Sequence, residues 1–500
     1  MRLTAGPVVT MLLAAVPGAA QEAPLPNLFS DVMDVRVVNV EAVVTDRKGN
    51  RVGGLEAGDF ELLVDGEPVP IDYFTEIDEG LAVATRDDRI GGVPALTPDE
   101  PVGTNFLVFV DELFAIRRHR DGVLNRLERD LALLDPADRA AIVAFDGHDV
   151  TLLVDWTNSR PEIEDGIQRA RERKALGLMR QLDLGDRGDQ VRRTVMAATA
   201  SIRSLADVPG RKVMLLLAEV SCSPIRRFAT FWEEGTCRAG MVGAYRPLVH
   251  AANRAGYTVY PVDVAGFRPS FNLDPDTGAL LGNPEGTQEA ALWYLALETG
   301  GKAMINAYRY AALAETAADT RSYYWLGFEP PRDENDSLHD IKVRVVGRKD
   351  LRARTRAHYL DMSRSAEFTM LVEGSLMFGS TPGKGALEVH FGTPRKAGFR
   401  KVLVPMWVTI PVDDLTLLPI DGQWRNEVEF RISVVDKYGD HSKNLGSRIP
   451  ILYSEAPPPG KTFIYGTELP ILKREHRYLA AVYDPVTGEI LSRRGTVGPR

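Results

Sequence analysis

Hydrophobic and polar residues alternate near the start of the chain. Every second residue in the range 38–44 is apolar, which is the period of a strand with one buried face. The apolar run Phe60–Val64 is followed by Asp65 and Gly66, a pair favoured in hairpins whose two turn residues take positive φ. The pattern predicts a small antiparallel β module over residues 34–78.

A segment rich in Gly, Pro and Asp, residues 79–103, predicts a linker. From residue 105 the pattern changes to continuous apolar runs, typical of strands buried on both faces in parallel sheets. These predicted strands are 106–110, 140–145, 213–217 and 257–264, with Tyr323–Phe328 as the last. Between them, apolar stripes of helical period predict helices, found at 123–134, 191–205 and 285–299. Strands alternating with helices predict a doubly wound α/β domain over residues 104–330.

Strand patterns return after Pro330. The segments 341–346 and 351–355 have no place in a parallel sheet, and the N-terminal module is too small to be stable alone. We therefore expect residues 340–360 to complete that module, which makes the α/β domain an insertion within it. Half-buried strand patterns then continue to the end and predict a C-terminal β-sandwich over residues 366–500. The predicted fold class is multidomain α/β plus all-β.

The first 20 residues have the features of a secretory signal peptide. Arg2 precedes an apolar run at 8–16, and the small residues Gly18, Ala19 and Ala20 follow. The run is too short to span a bilayer, which needs about 20 apolar residues, and no later stretch is long enough. We expect a protein without a membrane span that is exported to the periplasm or secreted.

The net charge of the chain limits the kinds of molecule that it is expected to bind. The chain has 60 Lys and Arg against 69 Asp and Glu, a net charge of −9. This balance argues against non-specific nucleic-acid binding as the main role, although it allows a local basic patch. The partner is expected to be a protein or another component of the cell surface.

The two cysteines, Cys222 and Cys237, lie in one polar segment. In an exported protein the expectation is a disulfide that closes this loop, with a stabilising effect of about 3 kcal/mol. Two free thiols are the alternative. A zinc site is less favoured, because two thiols without a second pair or a nearby His leave the coordination incomplete.

Four sequence segments resemble those of a known protein family. They are VVNVEAVVTDRKGNRVGGLEAGDFELLVDGEPVPIDYF, NFLVFVDELF, WYLALETGGKAMINAYRYAALAETAADTRSYYWLGFEPP and DIKVRVVGRKDLRARTRAHY. In this order the chain resembles the von Willebrand factor A-related proteins frequent in Acidobacteria, over most of residues 35–360. The resemblance implies a von Willebrand A-like α/β domain. The family has no single activity to carry over.

The resemblance also implies a place for a metal site. Von Willebrand A domains bind proteins through a metal at the carboxyl end of the sheet, using Asp-x-Ser-x-Ser after the first strand with a later Thr and Asp. Here the Asp is Asp111, but Leu113 and Ala115 replace both serines and offer no oxygen ligand. Thr157 and Glu219 are the candidates for the later ligands. We predict a degenerate site without a cofactor; the alternative is Mg²⁺ or Ca²⁺ held by a cluster of Asp111, Glu112 and Glu219.

With the metal ligands lost, we expect the same face to bind a partner through apolar contacts. The centre of this predicted surface is formed by Asp111, Glu112, Leu113 and Phe114. Its polar rim is formed by Trp156, Thr157, Glu219 and Ser221, and Trp232 of the cysteine loop extends it.

No catalytic motif stands out in the sequence. His-Glu-x-x-His and Gly-x-Ser-x-Gly are both absent. The leading hypothesis is therefore an exported, non-enzymatic protein-binding or adhesion-type module. Two alternatives stay open: an envelope hydrolase using carboxylates in a cleft above the sheet, and a purely structural envelope scaffold.

Overall fold

The computed structural model describes most of the chain after residue 37. The described residues are 38–85, 96, 98–177, 187–206, 208, 210–218, 243–265, 290–330, 336–361, 363–379, 381–383, 385–420, 422–436 and 445–498. They combine an α/β layer with β structure on either side of it in the sequence.

Residues 38–85, the described part of the N-terminal segment, form five strands. They are β1 (Val38–Thr45), β2 (Phe60–Val64), β3 (Glu67–Val69), β4 (Tyr73–Asp78) and β5 (Leu81–Thr85). The predicted hairpin is present between β2 and β3, where Asp65 and Gly66 have φ of 51° and 88°. Strand β5 lies inside the segment predicted as a linker and pairs antiparallel with β4.

Within its described residues, the α/β layer has five strands and six α-helices. The strands are β6 (Thr104–Asp111), β7 (Arg139–Phe145), β8 (Val150–Thr157), β9 (Arg211–Ala218) and β10 (Tyr257–Asp263). Their order in the sheet is β10-β9-β6-β7-β8; all are parallel except β8, which runs antiparallel to β7. The helices are α1 (Arg117–Asp130), α2 (Arg160–Glu172), α3 (Arg187–Ser204), α4 (Arg246–Ala255), α5 (Ala290–Thr299) and α6 (Ala312–Thr320).

Helices cover both faces of this sheet. Alternate strand residues such as Phe106 and Val108 face one core with α1, α2 and α6, whereas Leu107 and Phe109 face a second core with α3, α4 and α5. This double cover explains why the parallel strands are continuously apolar. No helix in the described ranges is long and apolar enough to cross a membrane.

The sequence predicts that β11 (Tyr323–Phe328) is the last strand of the parallel sheet, and this prediction is wrong. The strand pairs antiparallel with β1 and β4, in a five-stranded sheet of order β13-β1-β11-β4-β5 that also contains β13 (Arg352–Arg354). Alternate residues of β11 lie in two different cores, so both faces are buried and its pattern resembles that of a parallel strand.

The segment after β11 pairs with the N-terminal strands, as the sequence predicts. Strand β12 (Ser337–Val345) lies between β2 and β14 (His358–Asp361), and β13 pairs with β1. The second sheet has the order β14-β12-β2-β3, and side chains of the two sheets share one core. The α/β layer is therefore inserted between β5 and β11.

The segment predicted to begin the C-terminal sandwich is a helix, α7 (Arg364–Phe378). The Ser363 hydroxyl accepts a hydrogen bond from the Ala366 N–H, and Gly379 ends the helix with a φ of 69°. One side of α7 packs on the sandwich through Phe368, and the other packs on α3, where Glu373 pairs with Arg203 at 2.7 Å. Because both sides are covered, the segment has little of the one-sided apolar pattern that marks a helix.

In the described part of the C-terminal sandwich, ten strands surround a hydrophobic core. They are β15 (Gly385–Ala386), β16 (Glu388–Phe391), β17 (Arg395–Lys396), β18 (Lys401–Pro411), β19 (Leu418–Ile420), β20 (Gln423–Asp436), β21 (Leu445–Tyr453), β22 (Thr462–Leu472), β23 (His476–Tyr483) and β24 (Ile490–Val497). One sheet is built around β20 and β23, and the other around β18 and β22.

Candidate functional site

The carboxyl end of the parallel sheet is where ligands bind in doubly wound folds, at the point where the strand order reverses. Here β6 and β9 are neighbours in the sheet. The next strand after β6, β7, lies on one side of this pair, and the next strand after β9, β10, lies on the other side. Asp111 is the last residue of β6, so it lies at this reversal point.

The Asp111 carboxylate is buried and bonded by donors of the protein itself. Oδ1 accepts hydrogen bonds from the backbone N–H of Leu113 at 2.9 Å and of Phe114 at 3.4 Å. Oδ2 accepts one from the Thr194 hydroxyl in α3 at 3.3 Å. The side chain has no exposed surface. Each oxygen of Asp111 thus accepts at least one hydrogen bond from the protein itself.

Burial has the largest effect on the pKa of the Asp111 carboxyl group. It raises the pKa of Asp111 to about 7, although the hydrogen bonds from Leu113, Phe114 and Thr194 oppose the shift. Burial, with a smaller contribution from the Asp111 charge, also raises the pKa of Tyr245. Asp111 therefore exchanges a proton near neutral pH instead of remaining a fixed anion.

The neighbouring carboxylate, Glu112, is held by a guanidinium. Its Oε1 accepts a hydrogen bond from Arg173 Nε at 2.7 Å, and its side chain is 1 % exposed. Arg173 also lies 4.0 Å from Asp146. Burial raises the pKa of Glu112, and the charge of Arg173 opposes that shift. Arg173 therefore supplies the positive charge at this carboxylate.

A second arginine fixes the segment that carries Arg173. Arg120 is fully buried in α1 and donates to the carbonyl oxygens of Arg173 at 3.1 Å and Arg171 at 2.9 Å. Sequence reasoning missed Arg120, Arg173 and Thr194, because their contacts join segments far apart in the chain.

The apolar residues that were predicted to form a binding surface do not form an exposed surface. Leu113 is 1 % exposed and belongs to the core shared with α3 and α4, so its prediction as a contact residue is wrong. Gly147, with a φ of 96°, packs against it: a Cβ there would lie 2.8 Å from Leu113 Cδ1. Ala115 is also buried, whereas Phe114 is half-buried against the same core. Apolar side chains at the two lost serine positions thus fill the interior beneath the site.

Trp156 and Thr157 are at the wrong end of the sheet for the predicted rim. Because β8 is antiparallel to β7, Val150 pairs with Phe145 at the carboxyl end, and Thr157 pairs with Ala140 at the amino end. Thr157 therefore cannot be a ligand beside Asp111, and both residues are removed from the candidate site. The threonine that reaches Asp111 is Thr194.

Several predicted residues lie outside the described part of the chain. These are the predicted site residues Glu219, Ser221 and Trp232, the cysteines Cys222 and Cys237 of the predicted disulfide, and the predicted signal peptide.

A divalent metal does not fit the described part of this site. A hard cation needs several oxygen ligands directed at one point. Asp111 points its oxygens at protein donors, Glu112 is paired with Arg173, and the two serine positions are apolar and buried. Across the described ranges, no group of three or more His, Cys, Asp and Glu is arranged to hold a metal.

A second charge cluster, of which only Arg211 is fully buried, lies at the opposite, amino end of the sheet. We call it the amino-end cluster; its members are Glu41, Arg51, Arg211, Asp319, Arg354 and Arg356. It joins the N-terminal β module to the α/β layer. Asp319 of α6 contacts Arg51 at 2.6 Å and Arg354 at 2.5 Å, and it accepts a hydrogen bond from the Tyr260 hydroxyl at 2.8 Å.

The rest of the amino-end cluster centres on Arg211. Its Nε lies 3.1 Å from Glu41 of β1, and its guanidinium lies 4.1 Å from the centre of the Tyr323 ring. Arg356 donates to the carbonyl oxygen of Asn253 at 2.8 Å. These contacts join the N-terminal β module to the α/β layer.

Comparisons with known proteins leave the family open. No family model and no curated protein matches the chain. Among solved structures, the Bacteroides uniformis β-glucuronidase is similar at a TM-score of 0.17 and 11 % identity, over 23 % of this chain and 13 % of that chain. The pilus adhesin SpaC from Lactobacillus rhamnosus GG is similar at a TM-score of 0.26 and 9 % identity, over 79 % of this chain and 57 % of that chain. The chain thus spans only part of both proteins, and likenesses this distant say nothing about its function.

Proposed function

We propose that this protein is an exported, non-enzymatic protein-binding module whose α/β domain is von Willebrand A-like and contacts its partner without a divalent metal. Support for the domain assignment comes from the sequence resemblance together with the position of Asp111. The aspartate ends the first strand of the α/β layer at the reversal point of a largely parallel sheet, which is where the resemblance implies the metal motif.

The observation that carries the metal-free part is the bonding of Asp111. Its two oxygens accept from two backbone N–H groups and the Thr194 hydroxyl while the side chain is fully buried. A carboxylate in this state is unsuited to ligate a cation. It is equally unsuited to act as a catalytic acid or base on a substrate, which would require contact with the reacting atoms. The paired Glu112 offers no accessible second carboxylate.

The proposed contact region is formed by the connections that follow two strands of the sheet, β9 and β10. The segments 219–242 and 266–289 follow β9 and β10 in the sequence, and long connections at this end of a sheet commonly carry binding residues. The first segment contains Glu219, Ser221 and Trp232, which we retain as proposed contacts. Phe114 is half-buried and borders the same end. The partner is a protein or another component of the cell surface.

The test is capture of envelope proteins by the full chain in the presence of Mg²⁺ and of EDTA. We expect the same captured species in both conditions, loss of capture with Trp232→Ala, and unchanged capture with Trp407→Ala, an exposed tryptophan of the C-terminal sandwich. Capture that requires Mg²⁺, or that is equal for both tryptophan variants, would contradict the proposal.

Enzymatic activity is tested separately with a panel of glycoside, ester and peptide substrates. We expect no turnover by the purified parent chain. Turnover that is abolished by both Asp111→Asn and Glu112→Gln, in variants that remain folded, would favour the hydrolase instead.

A further inference from the structure

A hairpin at one end of the sandwich combines positive charge with an exposed phenyl ring. The basic hairpin, residues 395–401 with sequence RKAGFRK, joins β17 to β18. It is closed by a hydrogen bond from the Ala397 N–H to the Lys401 carbonyl oxygen at 3.0 Å. Lys473, which follows β22, donates its backbone N–H to the Arg400 carbonyl oxygen at 2.8 Å. The tip is therefore an ordered structure with a basic neighbour.

Phe399 at the tip is 93 % exposed, the highest value among the large hydrophobic side chains that the structure describes. It belongs to none of the hydrophobic cores found in the described ranges. Folding therefore gives no reason for an apolar side chain at this position. Its interest lies in its basic surroundings, because sites that bind at a membrane interface combine an apolar side chain with Lys and Arg.

The charge around Phe399 has one dominant sign. The exposed basic side chains are Arg395, Lys396, Arg400, Lys401 and Lys473. No acidic residue occurs between positions 393 and 401. Among the acidic neighbours, Glu468 and Asp436 pair with Arg395 and Arg474, and Glu475 is exposed two residues after Lys473. A concentrated positive tip on a chain of net charge −9 is a local feature and does not follow from overall composition.

We propose that the basic hairpin docks on an anionic lipid surface, with Phe399 entering the boundary between headgroups and acyl chains. The basic side chains match the negative headgroup layer, and each one near such a surface strengthens binding roughly fivefold. The phenyl ring adds apolar burial, which an interfacial site combines with charge. This inference is independent of the proposed partner site on the α/β layer.

Other macromolecular partners fit the tip less well. One phenyl ring supplies roughly 200 Å² of contact, whereas a stable protein interface buries about 800 Å² on each partner. Single-stranded nucleic acids are bound by several aromatic side chains that stack successive bases, and the described hairpin has one. A charged lipid surface needs only one inserted side chain beside several cations.

The experiment is sedimentation of the full chain with lipid vesicles. One preparation is pure phosphatidylcholine, and the other contains equal parts of phosphatidylcholine and phosphatidylglycerol. We expect binding to the anionic vesicles only, weakened about tenfold by Phe399→Ser and about 25-fold by the double variant Arg400→Gln/Lys401→Gln. Phe399→Trp should retain binding, and its fluorescence should be quenched by brominated acyl chains more than that of the parent.

The matched controls lie at the other end of the same sheet. Ile464 is 63 % exposed and pairs with Thr409, far along β18 from the tip, and Lys461 is exposed beside it. Ile464→Ser and Lys461→Gln should bind as the parent does. Equal binding by the parent and Phe399→Ser, equal binding to both kinds of vesicle, or no vesicle binding at all would overturn the proposal. Tight binding of soluble polyphosphate with no binding to vesicles would also overturn it and assign the tip to a different polyanion.

Discussion

The two ends of the α/β sheet bury charge in opposite ways. At the amino end, Asp319 lies between Arg51 and Arg354, which come from the β module. At the carboxyl end, Asp111 has only neutral donors in its described hydrogen bonds, from its own loop and from α3. The amino end therefore joins two parts of the fold by ion pairs, whereas at the carboxyl end neutral donors enclose Asp111 beside the Glu112–Arg173 ion pair.

The pKa shifts follow from this difference. Burial pushes the pKa of Asp319 upward, but the charges of Arg354 and Arg51 outweigh burial and lower it overall. For Asp111, burial outweighs the hydrogen bonds and raises the pKa to about 7. Asp319 is thus a fixed anion between two parts of the fold. Asp111 is a weak acid at the position where the resemblance places the start of a metal motif.

The largest expected effect is on the pH dependence of stability at the carboxyl end. Because the pKa of Asp111 is higher in the folded state, its contribution is greatest below pH 3.8 and is lost as pH rises to about 7. The parent should lose up to about 4 kcal/mol relative to Asp111→Asn across this range. Urea unfolding of both proteins at a series of pH values measures the difference. A difference that does not change with pH would show that Asp111 titrates normally.

Removing the shared anion of the amino-end cluster should have the next largest effect. Asp319→Asn leaves Arg51 and Arg354 without their carboxylate, and we expect the free energy of unfolding to fall by about 3 kcal/mol. Asp149→Asn is the control, because it removes an exposed ion pair with Arg477 and should cost less than about 1 kcal/mol. Equal effects of the two substitutions would contradict a structural joint at the amino end.

Breaking the ion pair beside Asp111 should be less costly. Arg173→Gln removes the cation from Glu112, which is buried, and should lower the free energy of unfolding by about 2 kcal/mol. The double variant Glu112→Gln/Arg173→Gln should recover part of this loss, because no buried charge is then unpaired. A double variant whose loss is the sum of the two single losses would show that the pair is not coupled.

The smallest expected effect comes from the hydroxyl that reaches Asp111. Thr194→Val removes one long hydrogen bond and should cost about 1 kcal/mol at neutral pH. Because this bond favours the ionised carboxylate, its loss should also raise the pKa of Asp111 further. Unchanged stability, together with an unchanged pH dependence relative to the parent, would remove Thr194 from the site.

The sequence predicts the elements that depend on local residue patterns and misses those that depend on tertiary packing. The strands β6, β7, β9 and β10 and the turn at Asp65 and Gly66 depend on local periodicity and turn chemistry, so they were predictable. Strand β11 is apolar on both faces because it separates two cores, which period alone cannot distinguish from a strand of a parallel sheet. Helix α7 is covered on two sides and shows little periodicity for the same reason.

The candidate site was predictable only at its first residue. Asp111 follows a clear strand, and the absence of hydroxyls at Leu113 and Ala115 can be read directly. The placement of Thr157 depended on the direction of β8, and the direction of an edge strand leaves no mark in the residue pattern. The partners Thr194 and Arg173 are brought to the site by tertiary packing, so no local signal identifies them.

The most direct test of the account is calorimetric titration of the full chain with Mg²⁺, Mn²⁺ and Ca²⁺ at neutral pH, repeated for Asp111→Ala. Protein donors occupy the Asp111 oxygens and Arg173 occupies Glu112, so we predict no heat of binding for either protein. Thermal unfolding of both proteins should likewise be unchanged by the three cations. Micromolar binding by the parent that is lost in Asp111→Ala would contradict a site closed by the protein itself.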